Sequence, residues 1–296
     1  MAQYRKIRSR IRGVQNTAKI TQAMKMVAAA KLRRAQDAIV QARPYGEKLR
    51  EILGHLADAM DSAISPFFEQ RETHRVGIIV VAADRGLCGP FNSNVLKAAQ
   101  NRVDKTYADL NKAGAVELIC VGKRSVEFFA KRGYNVVGKY PGIFNDLNFT
   151  VAQQIVNQVQ DKFLEGHYDR VELIYNEFRS VIRQEIAVNQ FLPVEPIVGE
   201  EHEKTGAGYN IEYIFEPSSV ELLNALIPKN LNTQMWNALL ESNAAEQGAR
   251  MTAMDNATRN ARDLARDLKL EYNKARQDAI TTEILEIVSG ANALNG

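Results

Sequence analysis

The fold is decided by a stretch near the start of the chain, residues 32–56, which reads LRRAQDAIVQARPYGEKLREILGHL. Small and apolar residues recur in it at alternating spacings of three and four positions. This spacing is typical of the seam of a coiled coil, because it keeps one narrow stripe of a helix against a partner helix. The seam consists of Leu32, Ala35, Ile39, Ala42, Gly46, Leu49, Leu53 and Leu56.

The stripe extends toward the N-terminus with a change of phase. Its first members are Ile7, Ile11, Val14 and Ala18. The pattern then predicts a shift through Ile20, Met24 and Val27, a stutter that changes the supercoil without ending the helix. Pro44 predicts a bend, since the stripe continues on both sides, and two shorter helices with a break at Pro44 are the alternative. A single helix here would be on the order of 80 Å long.

The C-terminal part of the chain predicts a second helix of about 60 residues, on the order of 90 Å. Its stripe is first apolar and then alanine-rich, and small residues let two backbones approach closely. The members are Val220, Leu223, Leu226, Ile227, Leu231, Met235 and Leu239, then Ala245, Ala249, Ala253, Ala257, Ala261, Leu264, Leu268, Ala275 and Ala279. A helix this long is stable only if its stripe is covered, so we expect each terminal helix to cover the other.

Between the terminal helices the pattern changes to short apolar runs that alternate with helical ones. Strands are predicted at 76–82, 116–121, 136–137, 171–178, 184–191 and 211–215, helices at 94–113, 125–132 and 149–165, and a surface loop at 193–208. This alternation indicates a mostly parallel sheet covered by helices. The predicted fold is α/β: a long antiparallel coiled coil of the N- and C-terminal helices, 1–58 and 217–290, with a Rossmann-like α/β domain, 74–216, inserted between them.

Composition argues against several classes of protein. The chain has 296 residues and a formal net charge of +3. No apolar stretch is long enough to cross the roughly 30 Å of a bilayer core, and no secretory signal is expected. Cys88 and Cys120 lack the spacing of a metal or redox pair, and the four histidines are scattered. We expect a reducing cytoplasm and no metal site.

One turn, residues 84–90 with the sequence DRGLCGP, has features of a ligand site. A glycine-rich turn between strand and helix is where backbone N–H groups converge on phosphates. This turn lacks the Walker lysine and the third glycine of a dinucleotide fingerprint, and Pro90 removes one donor. Cys88 has no nearby histidine as a base. We expect no catalytic site and no cofactor, and a Rossmann-type nucleotide-binding protein with a coiled-coil interaction arm is the alternative hypothesis.

Charge is concentrated at the start of the chain. Residues 1–36 contain ten lysines and arginines and no acidic residue, which predicts an acidic neighbour. Nucleic acid is not expected, because Tyr4 is the sole aromatic residue before Tyr45 and cannot provide base stacking. Direct membrane insertion is not expected either, since the stripe is rich in alanine. The apolar end at 280–288 predicts a partner that encloses it.

Three parts of the chain carry recognisable signatures. They are residues 16–31 (NTAKITQAMKMVAAAK), residues 84–89 (DRGLCG), and the C-terminal segments 249–258 and 272–291. In this order they closely resemble the gamma subunits of F-type ATP synthases, of the bacterial type without the inserted regulatory cysteines of chloroplast relatives.

The resemblance implies a mechanical role. In this family the paired terminal helices form the central stalk inside a hexamer of alpha and beta subunits, and the α/β domain lies against the epsilon subunit and the ring of membrane c subunits. Proton or sodium flow turns the ring and the stalk, and the beta subunits make ATP. The chain would therefore couple and not catalyse, as a peripheral protein on the cytoplasmic face of the bacterial plasma (inner) membrane.

The resemblance also implies partner contacts for nine residues. They are Met24, Lys25, Arg85, Cys88, Arg250, Arg276, Gln277, Thr281 and Glu283. The last four match a stretch that touches a loop of the beta subunits, and the others match regions near the acidic lever of beta. Lys25 departs from relatives that are acidic at this position. Residues 180–211 contain no cysteine, so we expect no thiol control.

Overall fold

A computed structural model describes residues 2–58, 65–181, 183–194, 216 and 218–294. The chain forms two compact units: a coiled-coil unit of Met1–Ala29 with Arg250–Gly296, and a sheet unit of Ala30–Ala249. The predicted strand at 211–215 and loop residues 195–208 lie outside the described residues. The predicted division at 1–58, 74–216 and 217–290 stays a prediction.

Both terminal helices are continuous. Helix α1 runs from Ala2 to Asp58 and passes through Pro44, which confirms one helix over the two-helix alternative. The last helix, α6, runs from Ser219 to Leu294 and contains Pro228. Its 76 residues exceed the expected length, because the helix begins two turns before this proline.

In the coiled-coil unit the helix segments pair antiparallel. The hydroxyls of Thr21 and Thr258 lie 2.7 Å apart, and Lys25 Nζ lies 2.6 Å from Asp255 Oδ1. Residues later in α1 therefore contact residues earlier in α6, as the predicted antiparallel pair requires.

The seam of the coiled-coil unit differs from the prediction. Ile20 and Val27 are 60% and 57% exposed, so the predicted phase shift is wrong. The alternating spacing instead continues from Ala18 through Thr21 and Lys25 to the buried Ala28. These two polar residues can occupy seam positions because each meets a polar partner on α6. On α6 the predicted seam residue Leu264 is likewise exposed, at 41%, whereas Ala261 and Leu268 are buried.

The sheet unit contains a five-stranded sheet. Its strands are β1 (Val76–Val81), β2 (Val116–Val121), β3 (Val136–Tyr140), β4 (Arg170–Phe178) and β5 (Gln184–Leu192). Their order is β3-β2-β1-β4-β5, with β5 antiparallel and the others parallel. The mostly parallel, Rossmann-like sheet is thus confirmed.

Helices cover both faces of this sheet. They are α2 (Phe91–Asn101), α3 (Ala108–Lys112), α4 (Lys123–Ala130) and α5 (Phe149–Leu164). Every residue of β1 is buried, as expected for a strand with a core on each side. One core includes α2 and α4, and the other includes α5 and apolar residues from 49–56 of α1 and 223–239 of α6.

The predicted helix 94–113 is interrupted by a π-helical turn at Arg102–Thr106. Arg102 donates through Nε and Nη2 to Glu172 at 2.7 and 2.6 Å, and the Tyr107 hydroxyl donates to Oε1 at 2.6 Å. Glu172 is 1% exposed. Burial would raise the pKa of Glu172, but the hydrogen bonds from Arg102 and Tyr107 lower it overall. The irregular turn therefore accompanies a buried, hydrogen-bonded ion pair that sequence periodicity could not reveal.

Candidate partner-contact site

The turn that follows β1 is tied to the sheet by the carboxylate of Asp84. Its Oδ1 accepts from the backbone N–H groups of Lys123 at 2.8 Å and Gly142 at 2.7 Å. Its Oδ2 accepts from Phe144 N at 3.0 Å. One side chain thus joins the ends of β1, β2 and β3.

This carboxylate lies where a Rossmann-like fold binds a ligand phosphate, at the carboxyl ends of parallel strands and the start of a helix. Asp84 accepts from N–H groups of the segments that follow β2 and β3, so these three donors are not available to a phosphate. The backbone is also closely packed here, since a Cβ on Gly122 would lie 1.9 Å from Ala82 O.

The outer part of the turn presents two side chains to solvent. Arg85 is exposed, and its Nη2 lies 3.3 Å from Asn145 Oδ1. Leu87 is 68% exposed and has a φ of 64°. A leucine in the left-handed region is strained, and such residues cluster at functional sites. Leu87 was not among the residues predicted from the sequence, because no sequence pattern shows that its side chain is exposed or that its backbone is left-handed.

Cys88, in contrast, faces inward. It is 1% exposed, and its Sγ lies 3.7 Å from Arg85 O and 3.1 Å from Asn92 Nδ2. Asn92 also donates to Arg85 O at 3.2 Å. The thiol therefore supports the turn from beneath. Burial raises the pKa of Cys120, the second thiol, to about 12.

The inner side of the turn packs on α6. Ala83, Cys88 and Phe91 form a small apolar cluster with Ala245 and Ala249. All residues from 244 to 249 are buried, which explains the alanine-rich composition there. Small side chains allow the turn to sit directly on the helix.

On the coiled-coil unit, Met24 and Lys25 are both half-buried. The hydrogen bond from Lys25 lowers the pKa of Asp255, whose second oxygen lies 3.1 Å from Arg259 Nη2. The charge of Lys25 is thus directed at its own chain. Arg250, also half-buried, belongs to the same unit.

The C-terminal set is more accessible. Arg276, Gln277, Thr281 and Glu283 are all exposed on α6. The hydroxyl of Thr281 donates to Gln277 O at 3.0 Å, within the helix. The side chains of this set therefore offer polar groups to solvent over two helical turns.

Within the described ranges, no group of three or more His, Cys, Asp or Glu residues is arranged to hold a metal ion. No helix among the described residues is both long and apolar enough to cross a membrane.

A mostly parallel sheet, inserted in the chain between two long terminal helices, defines the class, an α/β protein with a coiled-coil helix at each end. The predicted contact residues from 276 to 283 lie on an exposed helix surface. The sequence matches the ATP synthase family over residues 3–294. It is 52% identical over 300 residues to the ATP synthase gamma chain of Chloroherpeton thalassium, covering 99% of both chains. It is 49% identical over 297 residues to that of Prosthecochloris aestuarii, covering 100% of both. The chain belongs to the family of ATP synthase gamma chains, and is thus a non-catalytic subunit of that complex and part of its rotor stalk.

Solved structures agree with this fold. The chain is similar to a chain of the central stalk and c-ring of the Tetrahymena thermophila mitochondrial ATP synthase, with a TM-score of 0.59 and 25% identity, over 80% of this chain and 99% of that one. A chain of the Euglena gracilis mitochondrial ATP synthase, in rotational state 3, gives a TM-score of 0.68 over 99% of this chain and 94% of that one, and at 20% identity shows likeness of fold. Family membership decides between the two functional hypotheses in favour of the rotor subunit.

Proposed function

We propose that the chain transmits rotation from a membrane ring of c subunits to the alternating beta subunits of a catalytic alpha–beta hexamer, with an epsilon subunit against the sheet unit. The support is full-length identity of about half to gamma chains, together with likeness to a central stalk solved with its c-ring. The chain lies peripherally on the cytoplasmic face of a bacterial plasma (inner) membrane and does not insert into it.

The exposed C-terminal set carries the contact with the beta subunits. Arg276, Gln277 and Glu283 combine a cation, an amide and a carboxylate on a helix surface that is open in the described chain. Polar groups of this kind exchange one partner for another at low cost, since water satisfies them between contacts. Thr281 contributes less directly, because its hydroxyl already donates to its own helix.

The turn after β1 forms a second contact. Arg85 offers a cation to an acidic surface, and Leu87 offers an apolar side chain beside it. Cys88 serves this contact by supporting the turn, since its own side chain is buried. On the coiled-coil unit Met24, Lys25 and Arg250 form a third contact region, in which Lys25 acts by fixing Asp255.

Reconstitution of the whole complex with its membrane ring tests the first contact, because coupling to ion flow requires that ring. We expect the Arg276→Ala/Gln277→Ala double variant to assemble but to lower ATP turnover coupled to ion flow several-fold. A matched variant, Lys269→Ala/Glu271→Ala, removes two exposed side chains of the same helix and should leave coupled turnover unchanged. Full coupling in the first variant would refute the assigned contact.

Thiol chemistry supplies a second test. Cys88 and Cys120 are both buried, and residues 180–211 contain no cysteine. Dithiol treatment should therefore leave coupled turnover unchanged, and a reversible change in turnover would contradict the absence of thiol control.

A further inference from the structure

A polar cavity of about 230 Å³ lies in the sheet unit, between residues 39–50 of α1 and residues 230–241 of α6. Asn230 and Asn237 line it, and Asn230 is 5% exposed. At Gly46 the backbone of α1 comes close to α6, since a Cβ added there would lie 3.3 Å from Asn237 Nδ2. The seam pattern predicts close apolar packing of α1 against α6 at this level. The structure has a polar cavity there instead, and a cavity of this kind can hold a polar ligand.

Cationic groups dominate the α1 side of this cavity. Arg43 and Arg50 both line it and are both exposed. They are seven positions apart, so they lie on one face of the helix. Glu47 lies between them as the one acidic lining residue of α1. Guanidinium groups present several donors in a planar fork that matches an oxyanion.

The α6 side contributes Glu241. Its Oε2 is buried and has no hydrogen-bond partner among the described residues. Burial, followed by the charge of Glu177, raises the pKa of Glu241 to about 7. The charged and titratable groups that face it from other elements are Tyr175 and Glu177 of β4, Arg179 directly after β4, and Arg43 of α1. Near neutral pH a large part of Glu241 is protonated and can donate a hydrogen bond.

We propose that this cavity binds a small free oxyanion of the phosphate or sulfate class, held by Arg43 and Arg50 and by the amides of Asn230 and Asn237. The anion joins α1 to α6 by charge-assisted hydrogen bonds across the cavity. Glu241 in its neutral form completes the set of donors, whereas its ionised form repels the guest.

The two protonation states of Glu241 predict a pH dependence. A bound anion favours the protonated form, so binding takes up protons around neutral pH. As the pH rises from 6 to 8 Glu241 ionises, and the affinity for an anion of constant charge should fall several-fold. Sulfate is the suitable probe, because it does not titrate in this range.

Calorimetric titration of the full-length chain with sulfate tests the proposal. We expect saturable binding with a dissociation constant on the order of 1 mM at pH 6.5. Arg43→Gln and Arg50→Gln should each weaken it at least tenfold. Arg34→Gln removes the same charge at an exposed position of α1 outside the cavity and should change it less than twofold. Absence of saturable binding, or equal losses in all three variants, would overturn the site.

Glu241→Gln gives an independent readout, because an amide is a permanent neutral donor of similar shape. This variant should still bind sulfate, with no fall between pH 6 and 8. A fall as large as in the unmodified chain would remove Glu241 from the site. Inorganic phosphate should compete with sulfate, because it belongs to the same class of oxyanion. Failure of phosphate to compete would overturn the assignment to this class.

Discussion

The carboxylate of Asp84 offers the sharpest test of how the sheet unit presents its contact turn. Asp84→Ala removes the acceptor for three backbone N–H groups, whereas Asp84→Asn keeps an oxygen in the place of Oδ1. The NH2 group of the asparagine then takes the place of Oδ2. Two donors, this group and the Phe144 N–H, would face each other. The two variants therefore differ in how many of the three bonds survive.

The expected magnitudes follow from burial. A hydrogen bond to a charged group contributes roughly 1.5–3 kcal/mol, and less where water replaces it. The bonds from Lys123 and Gly142 are exposed and the bond from Phe144 is partly buried, so we expect a loss of about 3 kcal/mol for Asp84→Ala. Asp84→Asn should cost about 1 kcal/mol, since one bond of the three is lost.

Urea denaturation of the full-length chain measures these losses, with the slope m checked for constancy. Asp169→Ala is the matched control, because Asp169 accepts from His74 N at 2.8 Å and Arg75 N at 2.7 Å at the amino edge of the sheet, away from the turn. We expect assembled complexes to lose coupled turnover with Asp84→Ala and to retain it with Asp169→Ala. Equal losses of stability in both Asp84 variants, or full coupling in Asp84→Ala, would refute the reasoning.

Other predictions concern the sheet unit. Arg102→Met leaves the buried charge of Glu172 with fewer partners and should cost about 3 kcal/mol, partly recovered in the double variant with Glu172→Met; thermal melts in which the double variant is the less stable would contradict this. Burial opposes ionisation of Glu117, but hydrogen bonds lower its pKa from 4.5 to about 2. Its contribution, about 3 kcal/mol, is complete above pH 5 and is lost as the pH falls toward 2, so the stability difference from Glu117→Gln should shrink over that range in acid titrations. Gly122→Ala should prevent folding, judged by circular dichroism, whereas Gly114→Ala, with open space but a φ of 73°, should cost about 1 kcal/mol.

Much of the fold is visible in the sequence because it depends on periodicity. The seam from Leu32 to Leu56 specifies a helix that needs a partner, and its continuation past Pro44 predicts one helix. The fully apolar run of β1 specifies a strand buried on both faces. Such patterns report which face of an element must avoid water, and this is decided locally.

The exceptions arise where polar side chains take core positions. Thr21 and Lys25 do not read as seam residues, so the pattern predicted a shift to Ile20 and Val27, which are exposed. Both residues can occupy seam positions because they pair with Thr258 and Asp255, which lie more than 200 positions away in the sequence. In the same way, the π turn at Arg102 accompanies a hydrogen-bonded ion pair with Glu172 of β4.

The predicted contact residues also differ in how much of their placement the sequence could show. Arg276 and Gln277 are predicted contact residues that the resemblance to a known family implies, and the structure places both on an exposed helix surface. The turn at 84–89 could also be named, but its sequence does not show that Leu87 points outward while Cys88 is buried.

The sequence by itself determined that a long helix precedes an α/β insert and another follows it along the chain, because hydrophobic periodicity acts within each element. Tertiary structure alone decided that Asp84 joins the ends of three strands, that Oε2 of Glu241 is buried at a cavity that two arginines also line, and that polar pairs complete the seam. These features depend on the burial of charged and polar groups and on partners from distant parts of the chain. The spacing of residues within one element predicts neither of them.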